Sequence, residues 1–244
     1  MADEGRGRIE PFLMVVLSRR FDAISRQMTN TLLRSARSIV VNTARDFSCS
    51  IADAGGRLIC LAEGLPIHVA SSGLVAKAMS ELFDDIGPGD CFLNNSPYYG
   101  NTHHADHTMC VPVFFEGEHL FTTMARAHQA DCGNTQPTTY MPFAPDLYQE
   151  GALDFPCVRV QRDYRDVEDV VRMARMRIRV PEQWYGDFLA GVGACRIGER
   201  EIAELCRKHG VETVKAFLDE WQEYGRKRMV EAIRALPKGT WQNE

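Results

Sequence analysis

Five of the seven histidines, His103, His104, His107, His119 and His128, fall in one short span that also holds Asp106 and Asp131. Within it, Thr102-His103-His104-Ala105-Asp106 sets an imidazole and a carboxylate three apart, and Ala127-His128-Gln129-Ala130-Asp131 brings a second imidazole one expected strand away. Neutral imidazole nitrogens and carboxylate oxygens are the donor set that Zn, Mn or Fe prefers, and three or four of them leave coordination positions open for chemistry. A single H-x-x-D pair is a weak signal, because most lone histidines are hydrogen-bonded core or surface residues. Weight comes from several potential ligands converging. His104 and His107 fit equally well as donors behind the ligands, and His119 beside Glu118 reads as a hairpin-turn residue.

Other chemistry-bearing residues are weaker signals. Asp46, in Arg45-Asp46-Phe47-Ser48, precedes an expected strand, and on spacing alone it is structural, a helix cap or a charge pair with Arg45. The stretch Asn94 to Asn101 combines turn formers with Tyr98 and Tyr99 and leads into the histidine cluster, a place where loops make substrate contacts. Arg172, Arg175, Arg177 and Arg179 read as a solvated face, with a partner or carboxylate contact as the alternative. The sequence has no phosphate-binding G-x-x-x-x-G-K-[ST] run, no strand-linked G-x-G-x-x-G and no G-x-S-x-G elbow. ATP is therefore not expected to bind this chain by itself.

The elements that must position these residues are legible in the hydrophobic pattern. Apolar residues recur at helical intervals from Ile9 to about Leu33, and again from Ser71 to Phe83, where Gly87-Pro88-Gly89-Asp90 follows as a stop. Residues 48–52 and 57–61 flank Asp53-Ala54-Gly55-Gly56, which predicts a hairpin. A short strand is expected at Cys91 to Leu93, and a second hairpin from 108–115 and 119–126 around Glu116-Gly117-Glu118. Residues 132–157, rich in Pro, Thr and Gly, read as an irregular loop of the kind that is usually functional or partner-bound. Beyond Asp166 the pattern is helical, with Gly210 as a break. The expected class is α+β: a mixed or antiparallel sheet with flanking helices and an all-helical carboxy-terminal part. Residues 1–165 form the expected metal-site domain, and 166–244 a helical region that can be continuous with it.

Composition sets the outer limits. The net charge of −5 offers no basic field for phosphates, so a nucleic-acid partner is not expected. No apolar run approaches the roughly 20 residues of a membrane span. The run Phe12 to Leu17 is short, and Asp3, Glu4 and Glu10 around it make a poor signal peptide. Eight dispersed cysteines without a C-x-x-C pair read as reduced, buried thiols, and the expected compartment is the cytoplasm.

Taken in order, Arg45-Asp46-Phe47-Ser48-Cys49, Gly89-Asp90, Asn94-Asn95-Ser96-Pro97-Tyr98, Gly100-Asn101-Thr102-His103-His104-Ala105-Asp106 and Arg126-Ala127-His128-Gln129-Ala130-Asp131 resemble successive motifs of the hydantoinase B/oxoprolinase family. Val180-Pro181-Glu182, Gly186-Asp187 and Arg196-Ile197-Gly198 extend the likeness, which runs from about Phe21 to Trp241. The resemblance implies a subunit that acts with a hydantoinase A-type ATPase. In such systems the partner phosphorylates a carbonyl oxygen of a hydantoin, 5-oxoproline, other lactam or ketone, and the B-type metal site completes hydrolysis or carboxylation. It also implies that Asp46, His103, Asp106 and His128 are the ligands of a divalent metal, Zn, Mn or Fe, which promotes Asp46 from structural residue to ligand. His104 and Asp131 become the groups expected to orient the ligand shell or move a proton. Ser96 and Gln129 depart from the family's usual Asp and His, which places a substrate contact in question. The chain is about half the family's usual length, which reads either as a split-gene subunit, with a second chain supplying the missing half as a further partner, or as a fragment. The favoured activity is ATP-dependent opening of a cyclic amide; a ketone carboxylase subunit and a non-catalytic scaffold are the alternatives.

Overall fold

The computed structural model describes residues 9–62, 64–240 and 242. Asp3 and Glu4, which argue against a signal peptide, and Trp241, the end of the family likeness, lie outside these residues. Among the described residues no helix is long and apolar enough to cross a membrane.

Helix α1, Pro11–Ser35, begins with proline at its first turn, where the missing N–H costs nothing. Its buried face carries Leu17, Phe21, Ile24, Met28 and Leu32. One π-type turn, Val40–Ala44, follows and ends at Arg45, whose φ of 55° swings the chain into β1, Phe47–Asp53. The remaining elements are β2 (Leu58–Leu61), α2 (Pro66–Leu82), β3 (Cys91–Asn94), β4 (Asp106–Phe115), β5 (Glu118–His128), the single turn α3 (Leu147–Glu150), β6 (Val158–Arg162), β7 (Arg165–Asp166), α4 (Glu168–Arg177), α5 (Pro181–His209) and α6 (Val211–Arg234).

Seven strands form one sheet in the order β2-β1-β5-β4-β3-β6-β7, and every pairing is antiparallel. The α+β expectation holds, and the sheet is antiparallel throughout. Strand alternation then divides the side chains between two layers. Cys49, Ile51, Met109, Val111, Phe121 and Ala125 face the larger core, which takes in α1, α5 and α6. Ala52, Phe92, Cys110 and Met124 face the opposite side, under Val75, Ala76 and Met79 of α2.

The carboxy-terminal helices are thus part of the core over the sheet. Phe21 stacks on Phe217 of α6 at 5.4 Å and lies 5.5 Å from Phe121 of β5, so one ring joins α1, α6 and the sheet. Helix α5 packs close because Gly198 is small: a Cβ there would stand 2.6 Å from Met28 Sδ and 2.7 Å from Thr123 Cγ2. The backbone carbonyl of Cys195 accepts from Thr123 Oγ1 at 3.1 Å in the same contact.

Strands β6 and β7 are elements the hydrophobic pattern did not announce. They turn through Asp163 and Tyr164, both at positive φ, without the Asn-Gly or Asp-Gly signature such a turn normally carries. Tertiary contacts hold it: Arg196 lies over the Tyr164 ring at 4.5 Å, and Tyr164 N–H donates to Gly89 O at 2.9 Å. The arginines at 172–179 mostly serve internal contacts, since Arg175 reaches Glu182, Arg177 donates to Gly151 O and Arg179 grips Asp131.

Removing the ring that joins the layers tests this packing. Phe21→Ala should cost about 3–5 kcal/mol in urea-unfolding stability, the usual cost of truncating a buried aromatic. A loss below about 1 kcal/mol would show that α6 docks independently of it.

Candidate metal centre

Asp106 opens β4 and His128 closes β5, and the two are directly paired in register. They share parity with Thr108, Cys110, Met124 and Arg126, so both point to the α2 face of the sheet, where neighbouring side chains across the ladder touch. Asp46 precedes β1 and extends the ladder, its carbonyl accepting from His128 N–H at 3.0 Å. His103 arrives from a loop that Asn101 folds: Asn101 Nδ2 donates to the carbonyls of His103 at 2.9 Å and Asp106 at 2.7 Å. That loop also leans on α2 at Gly100 (φ +84°), where a Cβ would lie 2.4 Å from Leu74 Cβ.

The distances place the expected donors in one cluster. His128 Nδ1 lies 3.1 Å from Asp106 Oδ1 and 3.5 Å from Asp46 Oδ2, and His103 Nε2 lies 3.9 Å from Asp106 Oδ2. Two sets of three potential ligand atoms, each within 4.8 Å of one another, share Asp106: His103, Asp106 and His128 in one, Asp46, His68 and Asp106 in the other. His68 was not anticipated. It stands alone in sequence on the buried side of α2, where a single histidine normally reads as core.

Hydrogen bonding on the far side of His128 sets its tautomer. Thr139 Oγ1 lies 2.6 Å from Gln129 O, to which it must donate, and 2.6 Å from His128 Nε2, from which it must then accept. With Nε2 carrying a proton, a neutral His128 turns the Nδ1 lone pair toward two carboxylates. That arrangement suits a cation. Asp46 Oδ1 and His103 Nδ1 are in addition buried without hydrogen-bond partners. Burial opposes ionisation of Asp106, yet the adjacent His128 imidazole, hydrogen bonds from His68 and Thr102 and the nearby His103 outweigh it and hold its carboxyl well below the usual range. Donor types, orphaned atoms and an ionised carboxylate all fit a divalent cation.

Thiols do not compete for that role. Burial pushes Cys49 and Cys91 up to about 12 and Cys110 well above its ordinary value, so none supplies a thiolate near neutral pH.

The two residues expected to act beside the metal are turned elsewhere. His104 Nδ1 lies 2.9 Å from Glu150 Oε2 and its Nε2 3.9 Å from Asp154, tying the 132–157 loop to the sheet. Asp131 receives Arg179 Nη1 at 2.7 Å and Arg179 N–H at 2.6 Å. Of the variant positions, Ser96 Oγ donates to Asp154 at 3.4 Å and Gln129 Nε2 to Ala127 O at 3.1 Å. The loop itself supplies what the sequence did not disclose: Thr139 on His128, and Tyr140 stacked on the His103 ring at 5.5 Å.

The sequence pattern of hydantoinase B/oxoprolinase matches residues 10–244. The chain belongs to the hydantoinase B/oxoprolinase family. Within that family it is 33% identical over 232 residues to the caprolactamase beta chain of Pseudomonas jessenii, covering 95% of this chain and 40% of that one. The B-type component of a putative D-/L-hydantoinase from Pseudomonas sp. (strain NS671) is 29% identical, with 97% and 41% covered. The solved structure of the ATP-dependent caprolactamase from Pseudomonas jessenii superposes with a TM-score of 0.89 over 96% of this chain and 40% of that chain, at 32% identity. Acetone carboxylase shares the fold, with a TM-score of 0.84 at 24% identity over 89% of this chain and 29% of that one. The chain thus spans about 40% of the length of its bacterial relatives in the hydantoinase B/oxoprolinase family.

One buried neighbour of the cluster gives a pH prediction. His107 points to the other face of the sheet, where its Nδ1 accepts from Trp184 Nε1 at 3.2 Å, and burial lowers its pKa to about 3. The unfolded chain takes up this proton near the ordinary value of about 6.5, the folded chain only near 3. Stability from this residue is therefore complete above about 6.5 and falls as pH drops toward 3, by about 2 kcal/mol between pH 7.5 and 5. Urea unfolding at both pH values should show a smaller loss in His107→Gln than in the unsubstituted chain; equal losses would contradict the assignment.

Proposed function

We propose that this chain is the metal-bearing component of an ATP-dependent cyclic-amide hydrolase, working with an ATP-using subunit of the hydantoinase A type. The observation that carries the reading is the His128 lone pair aimed between Asp106 and Asp46, in a chain whose relatives include enzymes named for caprolactam and hydantoin. His103, Asp106, His128 and Asp46 would hold the cation, with Zn, Mn and Fe as candidates. When bound, such an ion polarises an oxygen of the substrate or lowers the pKa of a water, which makes attack on an activated amide feasible near neutral pH.

The chain's own residues prepare that chemistry. Asp106 and His128 are fixed by strand pairing, so their donor atoms need little reorganisation. Thr139 holds His128 in the Nε2–H form, and Tyr140 covers one face of His103. Beside Tyr140 a surface cavity of about 420 Å³, lined also by Thr138, Met141, Pro142 and Phe143, suits a small cyclic amide with an apolar ring. Phosphorylation of the amide oxygen falls to the partner. His104 and Asp131 are retained as residues behind the site, His104 holding the loop and Asp131 fixing Arg179.

Elemental analysis of the purified chain tests this directly. The unsubstituted protein should carry divalent metal, while His103→Ala and His128→Ala should each lose most of it; full retention in either variant would contradict the ligand assignment. Activity of the assembled complex separates the alternatives. ATP turnover that depends on a lactam and not on bicarbonate is the expected result. Turnover requiring a ketone and bicarbonate would favour a carboxylase, and a metal-free, inactive assembly would favour a scaffold.

A further inference from the structure

His68 is 1% exposed, and both of its ring nitrogens are engaged: Nδ1 lies 2.9 Å from Ser48 Oγ and Nε2 3.3 Å from Asp106 Oδ2. A carboxylate only accepts, so the ring proton belongs on Nε2, and the Ser48 hydroxyl donates to Nδ1. Asp106 Oδ2 then receives two donors, His68 Nε2 and Thr102 Oγ1, while Oδ1 is left facing His128 Nδ1. We infer that His68 is a positioning residue that, with Ser48 behind it, fixes the rotation of the Asp106 carboxylate so that one oxygen is committed to the cation. The inference rests on the metal-bearing reading proposed above.

The competing geometry is a second cation held by Asp46, His68 and Asp106, with Asp106 bridging two ions. Charge decides against it. Asp46 and Asp106 bring two negative charges, and Arg126, 2% exposed on the same face of the sheet, brings one positive charge with no carboxylate bonded to it. One divalent cation leaves a single net positive charge in this group, whereas two leave three, in a setting too poorly hydrated to screen them. Helix α2 instead works as a clamp: His68 secures Asp106, and Ser71, one turn later, accepts from Arg126 Nη1 at 2.5 Å.

The test compares His68→Ala, His68→Gln and the unsubstituted chain. Zn²⁺ affinity is measured by chelator competition, Zn²⁺ stoichiometry by elemental analysis, and ligand geometry by the visible spectrum of the Co²⁺ form. The alanine variant should keep a stoichiometry of one but bind Zn²⁺ about 10- to 100-fold more weakly, with an altered Co²⁺ spectrum. Glutamine, whose Nε2 can still donate to Asp106, should recover most of the affinity and the spectrum, an outcome that loss of folding alone would not give. Unchanged affinity in His68→Ala would overturn the inference and leave the metal reading intact. Two ions per chain, falling to one in His68→Ala, would overturn it by making His68 a ligand. No metal in the unsubstituted chain would overturn both.

Discussion

Asp106 and His128 stand opposite each other where β4 begins and β5 ends, and the rest of the site is arranged around that pairing. Because side chains alternate along a strand, a register slip of one residue would send one of the two to the α5 face and dissolve the cluster. The long β4–β5 hairpin secures the register with a large apolar stake: Met109, Val111, Phe121 and Ala125 must all face the larger core for the same register to hold. Burial of apolar surface at one end of the hairpin thus fixes polar atoms at the other to within ångströms. Asp46 joins through the same ladder, one step before β1, so three of the four proposed ligands sit on or beside sheet backbone.

The electrostatic arrangement is costly without a cation. Asp106 is ionised in a buried place, the His128 lone pair faces it, and the guanidinium of Arg126 is buried beside Thr108 and Ser71 with one nitrogen lacking a partner. Burial pulls the Arg126 pKa down while Asp106 pushes it back up, so the arginine supports the carboxylate from the same face of the sheet. Such an arrangement concentrates field in a small volume, which is the usual condition for binding a metal ion or stabilising charge in a reaction. The 132–157 loop closes the remaining side, tied down by Asn95, His104 and Thr139.

Much of this was legible in the sequence, for identifiable reasons. The hairpins and long helices follow from period-two and helical spacing backed by strong turn residues. The set His103, Asp106 and His128 stood out because its members lie close together along the chain, and the ladder then made them close in space. Asp46 did not stand out, since an aspartate beside Arg45 before a strand looks like a cap; only the family motif raised it. His68 was invisible because it reaches Asp106 from α2, a contact with no local trace. Thr139 and Tyr140 were hidden likewise in an irregular loop whose path depends on tertiary bonds. The β6–β7 pair escaped because its turn uses Asp163 and Tyr164 in a conformation normally left to Asn and Gly.

X-ray absorption spectroscopy of the Zn²⁺-loaded full chain tests the central claim most directly, because it reads the atoms around the ion without relying on activity. The account predicts a shell of nitrogen and oxygen only, at about 2.0–2.2 Å, with the outer scattering of two imidazoles. A shell containing sulfur at about 2.3 Å, or one without imidazole scattering, would contradict it.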